Sequence, residues 1–195
     1  MEDALTGAAN QSDPQMGAPS KVLRVCLDLN VYVTYLRGLQ LGHTDTAAQA
    51  LVAAVRRGES ALGPIQLVIS WGMLDRLRKV WEEKWSIPRV EADALLSAIA
   101  GYAALGPDLE PPHLMLGGTG LIPLRDTEDA HVLDVAVAGR ADLLVTSNFK
   151  DFLDYRKDVR EENRIAIYQA AQHRVVIVHT HTAAQWLREG KIVIP

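Results

Sequence analysis

The segment ADLLVTSNFKDF, residues 141–152, places a short apolar run directly before a row of small polar residues. Residues 143–145 are Leu-Leu-Val, the composition of a buried strand, and residues 146–148, Thr-Ser-Asn, end that run. In an open α/β sheet, ligands bind outside the carboxyl ends of the strands. The segment therefore predicts a strand whose polar end borders a site, and the rest of the chain has to supply the other side chains of that site.

Elsewhere the chain alternates strand-like runs with helical patterns. This alternation predicts an α/β fold, a three-layer sandwich with a central, mainly parallel sheet of about four or five strands flanked by helices. The further strand-like runs are residues 22–28, 66–70 and 174–180, with 191–195 as a fifth candidate. The helical patterns are residues 30–39, 46–58, 71–85, 90–106, 126–139 and 182–190.

Two stretches fall outside this pattern. Residues 1–20 are rich in Gly, Ala, Ser and Pro without periodicity, and we expect them to form a disordered tail. Residues 21–195 are then expected to form a single domain. Residues 152–173 are polar and are assigned to no strand. Thr44 or Asp45 is the expected N-cap of the second helix.

The composition narrows the possible functions. The chain has 195 residues, with 20 Lys and Arg against 24 Asp and Glu, a net charge of −4. No overall field attracts a polyanion, so a nucleic acid would need a local basic patch or metal ions. The single cysteine, Cys26, lies in an apolar run, which is typical of a protein in a reducing compartment. Because no run approaches the roughly 20 apolar residues of a membrane span and the N-terminus lacks a signal-peptide pattern, we expect a cytoplasmic protein.

Carboxylates recur where strands end and helices begin. Asp28 closes the first strand, Asp75 lies early in the helix after the second, and Asp129 lies in the first turn of the helix before segment 141–152. Asp151 lies within that segment. Because strand ends and the helix starts that follow them share one edge of a parallel sheet, these side chains can converge. Like charges so placed need a divalent cation, and carboxylate oxygens favour Mg²⁺ or Mn²⁺ over Zn²⁺.

Each acidic residue also has a purely structural interpretation. Asp75 is placed to pair with Lys79 on a solvated helix face. Asp28 and Asp126 can cap the helices that follow them, and the polar residues after the strand at 143–145 can serve a turn. Taken singly, the structural interpretation is favoured for every acidic residue except Asp28. Taken together, their recurrence at one kind of position favours a metal site.

Four segments between about residue 22 and about residue 187 resemble the PIN domain family. They are DLNV (28–31), ISWGMLD (69–75), DTEDAHVL (126–133) and ADLLVTSNFKDF (141–152). The first and last segments are the most specific. The last, with its Thr-x-Asn-x-x-Asp-Phe pattern, resembles in particular the branch that holds the toxins of bacterial toxin–antitoxin systems, the VapC-like ribonucleases.

The resemblance implies an endoribonuclease that hydrolyses RNA phosphodiester bonds with Mg²⁺ or Mn²⁺. By motif position, Asp28, Asp75 and Asp129 would be the catalytic and metal-binding residues. Asp75 stands where the family usually has Glu, and Asp126 would be accessory. The implied partners are an RNA substrate, a cognate antitoxin protein and a second copy of the chain in a homodimer.

The segment after the strand departs from the family pattern at one position. Asn148 stands where many members have Asp, and a neutral amide coordinates a cation weakly. We therefore expect Asp151 to supply the missing charge as a further metal ligand, while Asn148 shapes the metal edge. Thr146 or Ser147 is expected to orient the attacking water or a phosphate oxygen.

Basic and aromatic residues near these acids supply candidate RNA contacts. Arg76, Lys79 and Lys150 are placed to contact phosphates, although basic residues interleaved with acidic ones are often only a solvated surface. Trp71 is a candidate for base stacking, whereas Trp81, at helical spacing, favours a core position. Two rival functions remain open. The first is a non-catalytic PIN-like module that binds RNA or protein, which the neutral residue at position 148 permits. The second is a flap-type DNA nuclease, which is less favoured because the chain lacks the extra helical regions of those enzymes.

Overall fold

The computed structural model describes residues 21–107, 114–115, 127–152 and 157–195, with the backbone alone at 114–115, 127–129, 151 and 157. In chain order the strands are β1 (Leu23–Leu27), β2 (Glu59–Ser60), β3 (Gly63–Ser70), β4 (Leu114–Met115), β5 (Leu143–Thr146), β6 (Lys157–Glu161), β7 (Ile165–Gln169) and β8 (Arg174–His179). The α-helices are α1 (Leu29–Gln40), α2 (Ala47–Arg57), α3 (Trp71–Trp85), α4 (Arg89–Ala104), α5 (Thr127–Ala138) and α6 (Thr180–Glu189), and a 3₁₀ helix covers Phe149–Phe152.

Helices flank one mixed sheet, which confirms the predicted α/β sandwich. The strand order is β2-β3-β1-β5-β8-β7-β6, and β4 pairs with β3 outside this path. The centre, β3-β1-β5-β8, is parallel, whereas β6, β7 and β2 pair antiparallel with their neighbours. The core lies along these central strands, whose side chains from Val25 to Leu27 and from Leu143 to Val145 are almost fully buried.

The predicted number of about four or five strands is too low, because the described residues already form a sheet of eight. The strands β6 and β7 form a hairpin inside the segment that sequence analysis assigned to no strand. At the sheet edge β6 reads Lys-Asp-Val-Arg-Glu, and charged residues of this kind protect an edge strand without leaving an apolar run. The prediction of a strand at residues 191–195 is wrong, since those residues have no regular secondary structure.

The second helix begins one residue later than predicted, at a different cap. Thr46 accepts a hydrogen bond from the Gln49 amide, and the Gln49 side chain accepts one from the Thr46 amide, which is a capping box. The predicted cap Asp45 instead has a φ of 57°, the left-handed conformation that Asp tolerates in turns. Two predicted features, the disordered tail at residues 1–20 and the position of Asp126, lie outside the described residues.

The direction of α5 follows from the strands around it. The Asp142 amide donates to the Arg24 carbonyl at 2.8 Å, so β5 starts level with the start of β1 and runs parallel to it. The preceding helix therefore begins at the opposite edge, where the parallel strands end. A Cβ atom added at Gly72, in the first turn of α3, would lie 2.8 Å from Nε2 of His131, so the first turn of α3 is in contact with α5 about one turn from the start of that helix. This places the backbone of Asp129 at the carboxyl edge of the sheet.

Throughout the described parts of the chain, every helix is too short or too polar to cross a bilayer.

Candidate active site

Buried polar residues collect at the carboxyl ends of the four parallel strands. Asp28 follows β1, Ser70 ends β3, Thr146 ends β5 and Thr180 follows β8, and each of them is at most 4% exposed. Within the described residues only two other polar side chains are as deeply buried, Gln66 and Asp134. Since a buried polar group costs free energy unless it is hydrogen-bonded, the bonds among these four residues decide what the edge can do.

Asp28 is held by neutral donors. The Thr146 hydroxyl donates to Oδ2 of Asp28 at 2.7 Å, and Nδ2 of Asn30 donates to the same oxygen at 2.5 Å. The Asp28 amide donates to the Val145 carbonyl at 2.9 Å, which continues the pairing of β1 with β5. Asp28 occupies the N-cap position of α1. No capping hydrogen bond of normal geometry reaches its carboxylate, although the backbone amides of Leu29 and Asn30 interact with it and lower its pKa. The first turn of α1 and the neighbouring strand β5 therefore both orient this side chain.

The Thr146 hydroxyl uses its full hydrogen-bonding capacity. Besides donating to Asp28, it accepts from Nδ2 of Asn30 at 3.0 Å and from the Asn148 amide at 2.9 Å, and a hydroxyl has one donor and two acceptor positions. The Ser147 amide closes the group by donating to Oδ1 of Asn30 at 3.0 Å. Thr146 therefore supports Asp28 and the turn after β5, and it has no capacity left to orient a water molecule or a phosphate.

Burial makes the carboxyl of Asp28 a weaker acid than an ordinary aspartate. Loss of solvation raises the pKa of this carboxyl from 3.8 to about 6, although hydrogen bonding by the Thr146 hydroxyl, by the backbone amides of Leu29 and Asn30 and by the Asn30 side chain lowers it. None of the described Lys, Arg or His side chains forms an ion pair with it. A carboxylate oriented by dipoles but not neutralised by a counter-charge favours the approach of a cation.

A second polar contact joins this edge to β8. Oγ of Ser147 lies 3.3 Å from Oγ1 of Thr180, which opens α6, and either hydroxyl can be the donor. Ser147 and Asn148 are exposed to solvent, unlike Thr146. Of the three strand-end residues that sequence analysis proposed around the metal edge, Ser147 and Asn148 are therefore the two that face solvent.

Asp75 is placed differently from Asp28. Its carboxylate forms an ion pair with Arg78 and lies 3.1 Å from Nζ of Lys79. Hydrogen bonds from these two cations lower the pKa of Asp75, and its side chain is 44% exposed. The predicted pairing of Asp75 with Lys79 on a helix surface is thus confirmed, while its role as a metal ligand stays a prediction.

The remaining predicted ligands are placed by their backbone only. Asp129 lies in the first turn of α5 at the carboxyl edge, and Asp151 lies in the 3₁₀ helix directly after β5. The described side chains contain no group of three or more His, Cys, Asp or Glu placed to hold a metal ion. Convergence of these two carboxylates with Asp28 therefore remains a prediction.

The predicted RNA-contacting residues differ in exposure. Lys150 is exposed, and Lys79 is 63% exposed while paired with Asp75. Arg76 is half-buried: its Nη1 has no hydrogen-bond partner among the described atoms, and its charge lies close enough to His131 to lower the pKa of that imidazole, an effect second to burial. Lys79 and Lys150 can reach a phosphate from the surface, whereas Arg76 belongs to the contact between α3 and α5.

Sequence analysis gave no role to two residues that the structure brings into the site, Asn30 and Thr180. The spacing Asp-x-Asn at positions 28 to 30 contained the signal for Asn30, because it places an amide in the first turn of α1 beside the carboxylate. Thr180 had no such signal, since its contact with Ser147 depends on the order of β5 and β8 in the sheet.

Among known proteins, the chain matches a family model over most of its length. The family model described as the PIN domain matches residues 24–150, nearly two thirds of the chain. The matched range includes Asp28, Asp75, Asp129 and Asn148. No curated protein matches the chain significantly, and no solved structure does.

Proposed function

The chain belongs to the PIN domain family, and on that premise we propose that it is a metal-dependent endoribonuclease that hydrolyses phosphodiester bonds in RNA. PIN domains are in general nucleases that use divalent metal ions. The observation that carries the proposal is the Asp28 carboxylate, which is 4% exposed, held by neutral donors and not paired with any described cation. Such a group is costly unless a cation binds it.

The donor set suits a hard divalent cation. Asp28 supplies carboxylate oxygens at the end of β1, and Thr146 and Asn30 hydrogen-bond to them without neutralising their charge. Oxygen ligands of this kind select Mg²⁺ or Mn²⁺. We propose that Asp28 and Asp129 hold the ion, with Asp75 and Asp151 as further ligands and Asp126 as an accessory residue.

The residues around the acidic edge have different proposed roles in hydrolysis. When bound, Mg²⁺ or Mn²⁺ supplies a water of lowered pKa and stabilises negative charge on the phosphate. Thr146 and Asn30 keep the Asp28 carboxylate in one orientation through their bonds to Oδ2, which would position it for the cation. Ser147, which is exposed, is the hydroxyl placed to contact a phosphate oxygen, and Lys79 and Lys150 neutralise flanking phosphates.

A comparison of RNA cleavage by the wild type and by Asp28→Asn tests the proposal. The wild-type chain should cleave a single-stranded RNA in the presence of Mn²⁺ and lose that activity in EDTA, and Asp28→Asn should lower the rate by at least about 100-fold, since several kcal/mol of metal-derived stabilisation are lost. Asp142→Asn is the matched control, because Asp142 lies at the opposite edge of the sheet and binds Lys21 and the Arg24 amide. Equal activity of wild type and Asp28→Asn would refute the proposed mechanism.

A non-catalytic PIN-like module is the second candidate, favoured by the neutral, exposed Asn148 at a position where many family members have Asp. A binding module would show no Mn²⁺-dependent cleavage in the wild-type chain, and its affinity for RNA would not change with Asp28→Asn. The two candidates therefore differ in both measurements.

We further propose that the nuclease is the toxin of a toxin–antitoxin pair. The support is the Thr-x-Asn-x-x-Asp-Phe pattern at residues 146–152. A cognate antitoxin would place an amphipathic segment and an Arg near the acidic edge, because a guanidinium can replace the charge of the metal. Expression of the wild-type chain without a partner should arrest growth of the host, and expression of Asp28→Asn should not. A homodimer and a cytoplasmic location remain expectations.

A further inference from the structure

A side chain of α5 packs directly on the backbone of α3. A Cβ atom built on Gly72 would lie 2.8 Å from Nε2 and 3.1 Å from Cε1 of His131, and side chains do not approach a Cβ atom as closely as 2.8 Å. Gly72 does not have the left-handed conformation that favours glycine, and glycine is unfavourable in a helix relative to alanine. The need for glycine at this position therefore comes from the contact with His131.

This contact is polar and incompletely hydrogen-bonded. Nε2 of His131 is buried without a hydrogen-bond partner among the described residues, and so is Nη1 of Arg76. Arg76 lies four residues after Gly72, on the same face of α3. Burial, followed by the charge of Arg76, lowers the pKa of His131, so the two side chains are neighbours. Because unpartnered buried polar atoms cost free energy and occur preferentially at functional sites, stability alone does not explain the contact.

The contact lies between two of the proposed ligands of the cation. Asp75 is three residues after Gly72 on α3, about 4.5 Å along the helix axis. Asp129 is two residues before His131 on α5, about 3 Å along that axis. The distance between α3 and α5 at this contact therefore sets how far the backbone of Asp129 lies from Asp75.

A small displacement at this contact is large for a metal site. Ordinary contacts with a Cβ atom begin at 3.4 Å, so a Cβ atom at position 72 would move His131 and the α3 backbone apart by about 0.6 Å. The side chains of a metal site have to be held within about 0.5 Å of their productive geometry, and Mg²⁺ in particular tolerates little variation in its ligand distances. The buried position of Nε2 leaves the imidazole little room to turn away.

We propose that Gly72 and His131 are positioning residues of the metal site. Their direct contact fixes the distance between α3 and α5, and it thereby holds Asp75 and Asp129 at the spacing that a divalent cation needs beside Asp28. The inference rests on the proposed nuclease function, which it deepens by adding two residues that do not themselves bind the cation.

Isothermal titration with Mn²⁺ measures this role independently of cleavage. The full chain is compared with Gly72→Ala, His131→Ala, the double variant Gly72→Ala/His131→Ala, and Gly101→Ala. Gly101 is the matched control because it also lies in a helix, α4, and no atom lies within 4 Å of a Cβ atom built there. Thermal unfolding in EDTA shows whether each variant keeps the fold.

Gly72→Ala should raise the Kd for Mn²⁺ by about 10-fold or more, the usual effect of disturbing residues that orient metal ligands. His131→Ala should raise it by a smaller factor, because it leaves a space instead of a clash. Removing the imidazole gives the new methyl group room, so the double variant should bind Mn²⁺ at least about threefold more tightly than Gly72→Ala. A general loss of helix packing would instead grow with the second substitution. Gly101→Ala should keep the Kd of the wild type, and its unfolding midpoint should not fall, since alanine favours a helix.

A wild-type Kd in Gly72→Ala overturns the positioning role, even if that variant unfolds at a lower temperature, because the contact would then serve stability alone. An equal loss of Mn²⁺ affinity in Gly72→Ala and in the double variant also overturns it, since His131 would not transmit the effect. If Gly72→Ala does not fold, His131→Ala takes its place, and a wild-type Kd in that variant overturns the role.

The titration also separates this role from the nuclease proposal. If the wild type takes up no Mn²⁺, the proposed metal site fails and the positioning role fails with it. If the wild type binds Mn²⁺ and Asp28→Asn does not, while Gly72→Ala binds as the wild type does, the metal site stands and only the positioning role fails.

Discussion

Replacing Asp28 with Asn should stabilise the metal-free protein at alkaline pH. Burial raises the pKa of Asp28 from 3.8 to about 6, and a difference of about 2 pKa units corresponds to about 3 kcal/mol. Because the pKa is higher in the folded state than in the unfolded state, the folded state binds the proton more tightly. The contribution of Asp28 to stability is therefore present below pH 4, is lost as the pH rises through 6, and leaves the ionised carboxylate opposing folding at pH 8.

Asparagine removes this charge and keeps an oxygen that can accept the hydrogen bond from Thr146. In EDTA at pH 8, Asp28→Asn should raise the free energy of unfolding by about 2–3 kcal/mol relative to wild type, and at pH 4 the difference should shrink to below about 1 kcal/mol. Urea unfolding followed by circular dichroism at both pH values measures the two differences. A variant that is no more stable than wild type at pH 8, or that gains equally at both pH values, would refute the reasoning.

The same variant tests where a cation binds. A ligand that binds only the folded state stabilises by about 2.7 kcal/mol at 100 times its Kd, so saturating Mn²⁺ should raise the stability of wild type at pH 8 and leave Asp28→Asn almost unchanged. Asp142→Asn should respond to Mn²⁺ as the wild type does, because its carboxylate lies at the other edge of the sheet. An equal Mn²⁺ effect in wild type and Asp28→Asn would place the cation elsewhere.

Three further substitutions probe the surroundings of Asp28. Thr146→Val removes a buried donor that lowers the pKa of Asp28, so it should destabilise the metal-free protein at pH 8 by about 1–3 kcal/mol, measured by urea unfolding, and a smaller loss at pH 8 than at pH 4 would contradict this. Asn30→Ala removes the side-chain amide that bonds to Asp28, to Thr146 and to the backbone N–H of Ser147. It should weaken Mn²⁺ binding in isothermal titration by about 10-fold or more. Unchanged affinity would show that the bonds of Asn30 do not orient the carboxylate. Asp75→Asn removes the partner of Lys79 and one of the two partners of Arg78. It should change stability by less than about 1 kcal/mol, as expected for an exposed ion pair, while a larger loss in thermal unfolding would show a structural role.

Sequence analysis predicted the parallel centre of the sheet because each of its strands is a continuous apolar run. Strands β1 and β5 are buried on both faces, and a run such as Leu143–Val145 leaves no alternative to a core strand. The hairpin β6–β7 was missed for the opposite reason: its outer strand is mostly charged, and its pairing is decided by the contact with β8 rather than by its own residues. The residues 191–195 are apolar enough for a strand, but the sheet already ends in β2 and β6 on its two sides.

The candidate site likewise contains some features that the sequence predicted and others that only the fold shows. Asp28 was predicted because a carboxylate at the end of an apolar strand is conspicuous in any sequence. The role of Thr146 was not, because a threonine at a strand end is common, and only the register between β1 and β5 shows that its hydroxyl meets the carboxylate. The inward position of Arg76 was also beyond sequence analysis, since helical spacing gives the face of a helix but not what packs against it.

The two carboxylates described at the carboxyl edge and in α3 differ in what a cation gains by binding them. At Asp28 the charge is buried and uncompensated, so a divalent ion recovers solvation that folding removed. At Asp75 the charge is exposed and already bound by Arg78 and Lys79, so an ion has to displace two cations and gains less. Asp28 is for that reason the residue on which metal affinity should depend most strongly. If RNA is the substrate, as we propose, phosphates that draw Arg78 and Lys79 away would free Asp75 as a ligand and so couple metal binding by this second carboxylate to the presence of substrate.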